Sequence, residues 1–326
     1  MADSILDIRP MPIGAEIPNL RPGDERDPTI RSALYDAWLE HGILLFRNVE
    51  TVEQHLSLSE AFGELEQHPF IAVRSKVHPM LMDVGGGDRR AAYVYDEKDI
   101  LVNRIGWHRD TADTPAPCKG SMLRMIEVPS EAGETLLADT AKAYDDLPQA
   151  MKDRLDGLEY MATHKTDLKK RAGRPGTFWK TMRQATVEED PEGGHVFDED
   201  PKVIADILAR YPPVVHPAML THPESGRKCI FLSPMYFDCF LGMPAAESEQ
   251  LLRYLADHMT QPKYVYRHRW SVNDAILWDN RRFMHAGAGN KISDRRRGLR
   301  TTLAAPTRLG RYFDEGTQAP ALNPAG

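Results

Sequence analysis

Ala275-Ile276-Leu277-Trp278-Asp279-Asn280-Arg281-Arg282-Phe283-Met284-His285 opens with four apolar residues and breaks on an Asp-Asn pair. A short apolar run bounded by turn formers reads as a buried strand. The same pattern recurs outward in both directions. Ile43–Phe46, Met80–Val84, Gly120–Val128, Leu136–Asp139, Ala218–Thr221, Cys229–Leu232, Lys263–Tyr266 and Leu299–Leu303 are all short, with Gly, Pro, Asn or Asp between them. Many short strands with polar breaks predict a sandwich or barrel-like β core. Helices flank it. Residues 29–41 place Ile30, Leu34, Trp38 and Leu39 near helical period, with Gly42 as the stop. Thr51 and Gln54 form a capping-box pattern for a helix ending at Gly63. Two more helices are expected at about 140–155 and 245–260. The second starts after Pro244, with Leu251, Leu252, Leu255 and Met259 on one face.

The 326 residues are 41 % hydrophobic and 27 % charged, as in ordinary soluble domains, and can bury a core without disulfides. Lys and Arg number 41 against 48 Asp and Glu, a net charge of −7. That balance speaks against nucleic acid as a partner, which needs a clustered positive surface. No apolar run approaches the roughly 18 residues of a membrane span, and Met-Ala-Asp-Ser-Ile lacks a signal peptide's basic start. Cys118, Cys229 and Cys239 match no zinc or redox spacing, so a cytoplasmic location is expected. No repeat or linker divides the chain, which predicts one domain over 1–326. Residues 165–200 begin basic and end acidic, broken by Pro175, Pro191 and glycines. They read either as a solvated insertion or as a lid over a site. Residues 313–326 are expected to form a flexible tail.

Two motifs carry chemistry. In Trp107-His108-Arg109-Asp110, strand alternation would point His108 and Asp110 the same way, placing an imidazole and a carboxylate on adjacent positions of one metal ion. His285 follows the opening strand, and a basic cluster of Arg295, Arg296, Arg297 and Arg300 comes after it. A second imidazole from a distant strand would complete two histidines and one carboxylate. That set leaves three positions open and suits non-haem Fe(II). Taken singly, each motif also has a plain structural reading: a chance His-x-Asp, a core histidine, a solvated charge run.

Together the segments resemble the taurine dioxygenase and dichlorophenoxyacetate dioxygenase group of Fe(II)/2-oxoglutarate-dependent oxygenases. The likeness rests on Gly106 through Asp110, Glu131 through Leu136, Ala141–Asp146 with Leu147-Pro148, Thr221-His222-Pro223 with Ser225-Gly226, Ile230-Phe231, and Leu277 through His285 to Arg300. It spans about residues 15 to 308. The resemblance implies a mostly β fold with a double-stranded β-helix, or jelly-roll, core. It implies an oxidoreductase that uses Fe(II), 2-oxoglutarate and O2, releases succinate and CO2, and oxidises a C–H bond. His108, Asp110 and His285 would be the metal ligands and catalytic centre. Thr135, 27 residues past His108, would help hold 2-oxoglutarate. Arg300, 15 past His285, would grip its far carboxylate, and Arg296, 11 past, would support it or meet substrate.

The resemblance also implies a small, anionic substrate and a homo-oligomer. His68 stands where the taurine enzymes place a substrate-contacting histidine. Arg104 replaces their Asn four residues before His108, which disfavours taurine itself and favours another acid. Phe231 would be an apolar substrate wall, and Tyr93 and Tyr95 would line the mouth. A zinc hydrolase using the same three ligands is the competing enzyme class, although it has no use for Thr135 and Arg300. A non-catalytic relic is the third reading, opposed by the intact ligand set.

Overall fold

The computed structural model describes residues 6–68, 73–85, 92–164, 180–191, 205 and 209–314. Two antiparallel-rich sheets face each other. The larger has eight strands, running Arg9–Pro10, Ala15–Ile17, Ile43–Phe46, Ala275–Asp279, Gly120–Glu127, Arg297–Leu303 and Leu65–Glu66, with Met82–Val84 also on Arg297–Leu303. The second has six: Met182–Gln184, Tyr93–Tyr95, Asp99–His108, Phe283–Lys291, Thr135–Asp139 and Val265–His268. This is the expected jelly-roll core with helices outside it.

Side-chain alternation explains why the strands read as nearly continuous apolar runs. Ile43, Leu45, Leu123, Ile276 and Trp278 of the larger sheet meet Leu137 and Phe283 of the other between the sheets. The alternate residues Leu44, Phe46, Met122, Ala275 and Leu277 face Leu34, Trp38 and Leu58 of the helices Pro28–His41 and Val52–Glu60. Behind the second sheet, Leu136, Ala138 and Met284 pack on Leu251, Leu252 and Leu255 of the helix Ala245–Met259. Strands buried on both faces have no polar side to show in their sequence.

Local signals were accurate at the ends of the first helix. Asp27 accepts the Thr29 and Ile30 N–H groups, and Gly42 ends it at φ 73°. Two expectations change. The helix about 140–155 is two helices, Thr140–Asp145 and Gln149–Leu155, because Pro148 cannot continue the first. The second helix of the chain ends at Glu60 rather than running to Gly63. Of the stretch 165–200, residues 165–179 and 192–200 lie outside the described residues. Residues 182–184 form an edge strand on Tyr93–Tyr95, and Asp96 Oδ1 accepts the Lys180 and Thr181 N–H groups. Residues 315–326 of the expected tail lie outside the described residues as well. Among the described residues no helix is long and apolar enough to cross a membrane.

Candidate metal centre

His108 ends the strand Asp99–His108, and His285 lies directly opposite it on Phe283–Lys291. Their rings stand 4.1 Å apart between centroids. Asp110 lies beyond the strand, so alternation is not what aims it, contrary to the expectation. Asn280 is. Its side chain accepts the Asp110 N–H at 2.9 Å and donates to the Asp110 carbonyl at 2.9 Å and the Cys118 carbonyl at 3.0 Å. Asp110 Oδ1 then sits 3.8 Å from His108 Nε2 and 3.7 Å from His285 Nε2, while Ser121 donates to Oδ2 at 2.9 Å. All three residues are buried, and their donor atoms lie within 4.8 Å of one another.

The protonation states suit a metal. His108 donates Nδ1–H to the Gly106 carbonyl at 2.8 Å, which leaves Nε2 as a lone pair facing the site. Burial drives His285 well below its ordinary value, and the neighbouring His108 adds to this. For Asp110, burial works to raise the pKa, but Arg300, then His285, His108 and the Ser121 hydroxyl hold it well below the usual carboxylate range. Two imidazoles and one carboxylate whose donor atoms converge fit a six-coordinate Fe(II) with three positions left open.

Arg109, between the two ligands, is a residue whose role the sequence did not disclose. It is fully buried with its guanidinium 4.8 Å from the Phe231 ring centroid. Every N–H is used: Nε to Leu232 O, Nη1 to Asn280 O and Phe283 O, Nη2 to Thr140 Oγ1 and Ile230 O. It ties the ligand segment to both the Phe283–Lys291 strand and the 230–233 segment. Asp279 is similarly hidden in the sequence. His222 Nδ1 accepts the Glu224 and Ser225 N–H groups, so its Nε2–H donates to Asp279 at 2.9 Å.

The two arginines have different surroundings. Arg300 Nη1 donates to Asp110 Oδ1 at 2.6 Å, and its Nη2 lies 3.6 Å from Met82 Sδ. Arg296 is only 6 % exposed, its Nε donates to the Gly133 carbonyl at 3.0 Å, and it has no acidic partner among the described residues. Burial alone lowers it to about 10. Two glycines make its cradle. At Gly85 (φ +79°) a Cβ would lie 2.8 Å from the Arg296 carbonyl oxygen and 3.2 Å from Nη1. At Gly133 (φ +76°) it would lie 2.4 Å from Pro129 and 3.3 Å from Arg296 Cδ. Thr135, two residues on, accepts from Trp270 Nε1 at 3.1 Å and keeps its own O–H to donate.

The expected substrate residues are more dispersed. Phe231 is fully buried under Arg109 and edge-on to His216, so it is core and not a substrate wall. Arg104 stacks over Tyr95 at 5.0 Å, and Tyr95 lies 6.5 Å from Tyr93. These three form one group. His68 is half-buried two residues past Leu65–Glu66, its carbonyl taking Arg74 Nε at 2.6 Å. Residues 69–72 beyond it are outside the described residues.

The chain is similar to known proteins. The family model for taurine catabolism dioxygenase TauD, TfdA family matches residues 6–302. The chain is 31 % identical over 77 % of its length and 78 % of the relative's to the (S)-phenoxypropionate/alpha-ketoglutarate-dioxygenase of Sphingobium herbicidovorans. It is 31 % identical, over 83 % of itself and 84 % of the relative, to the alpha-ketoglutarate-dependent 2,4-dichlorophenoxyacetate dioxygenase of Burkholderia sp. strain RASC. A crystal structure of a taurine dioxygenase from Burkholderia xenovorans superposes with a TM-score of 0.70 at 23 % identity, covering 97 % of both chains.

Proposed function

The chain belongs to the TauD/TfdA family of 2-oxoglutarate-dependent non-haem iron dioxygenases, and on that premise we propose that it hydroxylates a C–H bond of a small anionic molecule, with Arg296 holding the cosubstrate and Arg300 the substrate. Fe(II), 2-oxoglutarate and O2 are the reagents of this family, and the zinc-hydrolase and relic readings give way to it. The iron, when bound by His108, Asp110 and His285, supplies O2 activation coupled to conversion of 2-oxoglutarate to succinate and CO2.

The observation that carries the division of labour is Arg296: a buried guanidinium bonded to the Gly133 carbonyl, two residues before Thr135, with no acid to pair with among the described residues. A buried cation without a counter-ion is costly unless a ligand provides one. 2-Oxoglutarate does, since its far carboxylate lies a carbon chain away from the end that meets the metal. The Arg296 fork and the Thr135 hydroxyl can both donate to it. Arg300, by contrast, lies on a metal ligand, where a substrate acid group would be held next to the reacting centre. Trp278, whose ring centroid lies 4.8 Å from that of His285, belongs to the buried core and puts an apolar wall against that ligand.

The test is calorimetric titration of 2-oxoglutarate into the Mn(II)-loaded protein. Arg296→Ala should weaken 2-oxoglutarate binding by roughly 2–5 kcal/mol, the loss of a desolvated charge pair, and Arg300→Ala by much less. The reverse order would return the cosubstrate to Arg300. Succinate release stimulated by neutral or cationic compounds, and by no acid, would defeat the anionic substrate.

A further inference from the structure

Deepening that reading, and resting on it, we propose that Glu66 is a specificity-determining residue: with Arg300 it selects a small acid that carries a hydrogen-bond donor, an ammonium or hydroxyl, beside its acid group. Register places it. Glu66 pairs with Thr302, and Thr302 pairs on its other side with Ser121. Arg300 lies two residues before Thr302 on the same strand, and side chains two apart share a face. That face looks onto the ligands, because Ser121 donates to Asp110 Oδ2 and Arg300 to Oδ1. Glu66 therefore completes a row that ends beside the metal centre, opposite neither helix layer. The fields of Arg300 and Asp110 both reach its carboxyl, and its own reaches Cys118.

The other acids near the centre are saturated. Asp110 has Ser121 and Arg300, Asp139 has Arg282, and Asp279 has His222. The Glu66 carboxyl makes no hydrogen bond to any described residue, and it is half-buried. Burial pushes it up to about 7 even against Arg300, so it holds its charge weakly until a donor arrives. An ionised carboxyl within the field of that arginine repels a bare anion in a poorly solvated space, so such a substrate binds only if Glu66 first takes up a proton. A substrate with a donor next to its acid group satisfies both side chains at once: the acid on Arg300, the donor on Glu66. A donor-lacking analogue would leave the carboxyl desolvated and unpaired.

The experiment uses Fe(II)-loaded protein with 2-oxoglutarate and sets of short carboxylates and sulfonates, each bare, 2-hydroxylated and 2-aminated. Two readouts are taken: succinate released above the substrate-free background, and anaerobic titration of the visible absorption band. Wild type should prefer a donor-bearing member over its bare partner by about tenfold or more. Glu66→Gln should shrink that ratio, and Glu66→Ala should bring it near unity. A wild type that treats the partners alike, variants that keep the wild-type ratio, or a panel that stimulates nothing would each overturn the role of Glu66. Absence of any succinate and of any 2-oxoglutarate-dependent band in wild type would instead overturn the underlying oxygenase reading.

Discussion

Arg109→Met removes the five-bond clamp between the two ligand residues, and the structure sets the scale of the loss. Hydrogen bonds to a charged group contribute roughly 1.5–3 kcal/mol each, and each buried acceptor left bare costs about 1–3 kcal/mol. Four of the five acceptors are main-chain carbonyls that methionine cannot serve. Withdrawing the guanidinium from water offsets several kcal/mol of the gain, so the net loss should be about 4–6 kcal/mol. That is comparable with the whole stability of a typical domain. Arg109→Lys keeps the charge but carries three donors on one nitrogen in place of a planar fork. At least two acceptors remain unpaired, for a loss of about 2–4 kcal/mol. Urea denaturation followed by tryptophan fluorescence gives both numbers, and Mn(II) binding to the folded fraction reports the aim of His108 and Asp110. Arg109→Met within about 1 kcal/mol of wild type would refute the clamp. Arg109→Lys matching wild type would show that charge alone, without the fork geometry, suffices.

His108→Ala, Asp110→Ala and His285→Ala should each abolish turnover and weaken Mn(II) binding in equilibrium dialysis, since each removes one of three protein ligands; a variant that still turns over strikes its residue from the set. Asn280→Ala should cost about 2–4 kcal/mol in urea and loosen metal binding about tenfold or more, because it frees the Asp110 N–H and carbonyl; unchanged metal affinity would mean that Asp110 is aimed by Ser121 and Arg300 instead. His55 is fully buried with Nε2 3.2 Å from the Met122 carbonyl. Burial lowers it from 6.5 to about 3, with Met122 opposing and Arg124 adding. Between those values the unfolded chain binds the extra proton, so stability falls as pH drops, by up to about 1.4 kcal/mol per unit. Wild type should lose about 2 kcal/mol more than His55→Gln between pH 7 and pH 5; equal losses would assign the acid sensitivity elsewhere.

Much of this protein was legible in its sequence because the signals are local. Ile30, Leu34 and Trp38 mark a helix by their spacing and Gly42 stops it, and short apolar runs between turn formers mark strands whatever they pair with. The His-x-Asp, the distant His and the segments between them together resemble a known family in residue type and spacing. What the tertiary structure decided depends on register between segments far apart in the chain. Asn280 reaches Asp110 across 170 residues, and Arg109 reaches Phe283 across 174. Nothing near either residue announces its partner. Arg296 and Arg300 are four residues apart with the same chemistry, and spacing alone does not say how their surroundings differ. Only the fold shows that one lies on Asp110 while the other is buried in a glycine cradle without a counter-ion. Phe231 could be wall or core until its neighbours were known. Glu66 drew no notice as a lone acid on a two-residue strand. It faces the metal centre because Thr302 and Ser121 continue its row, and that pairing is set by the sheet as a whole rather than by the residues around it.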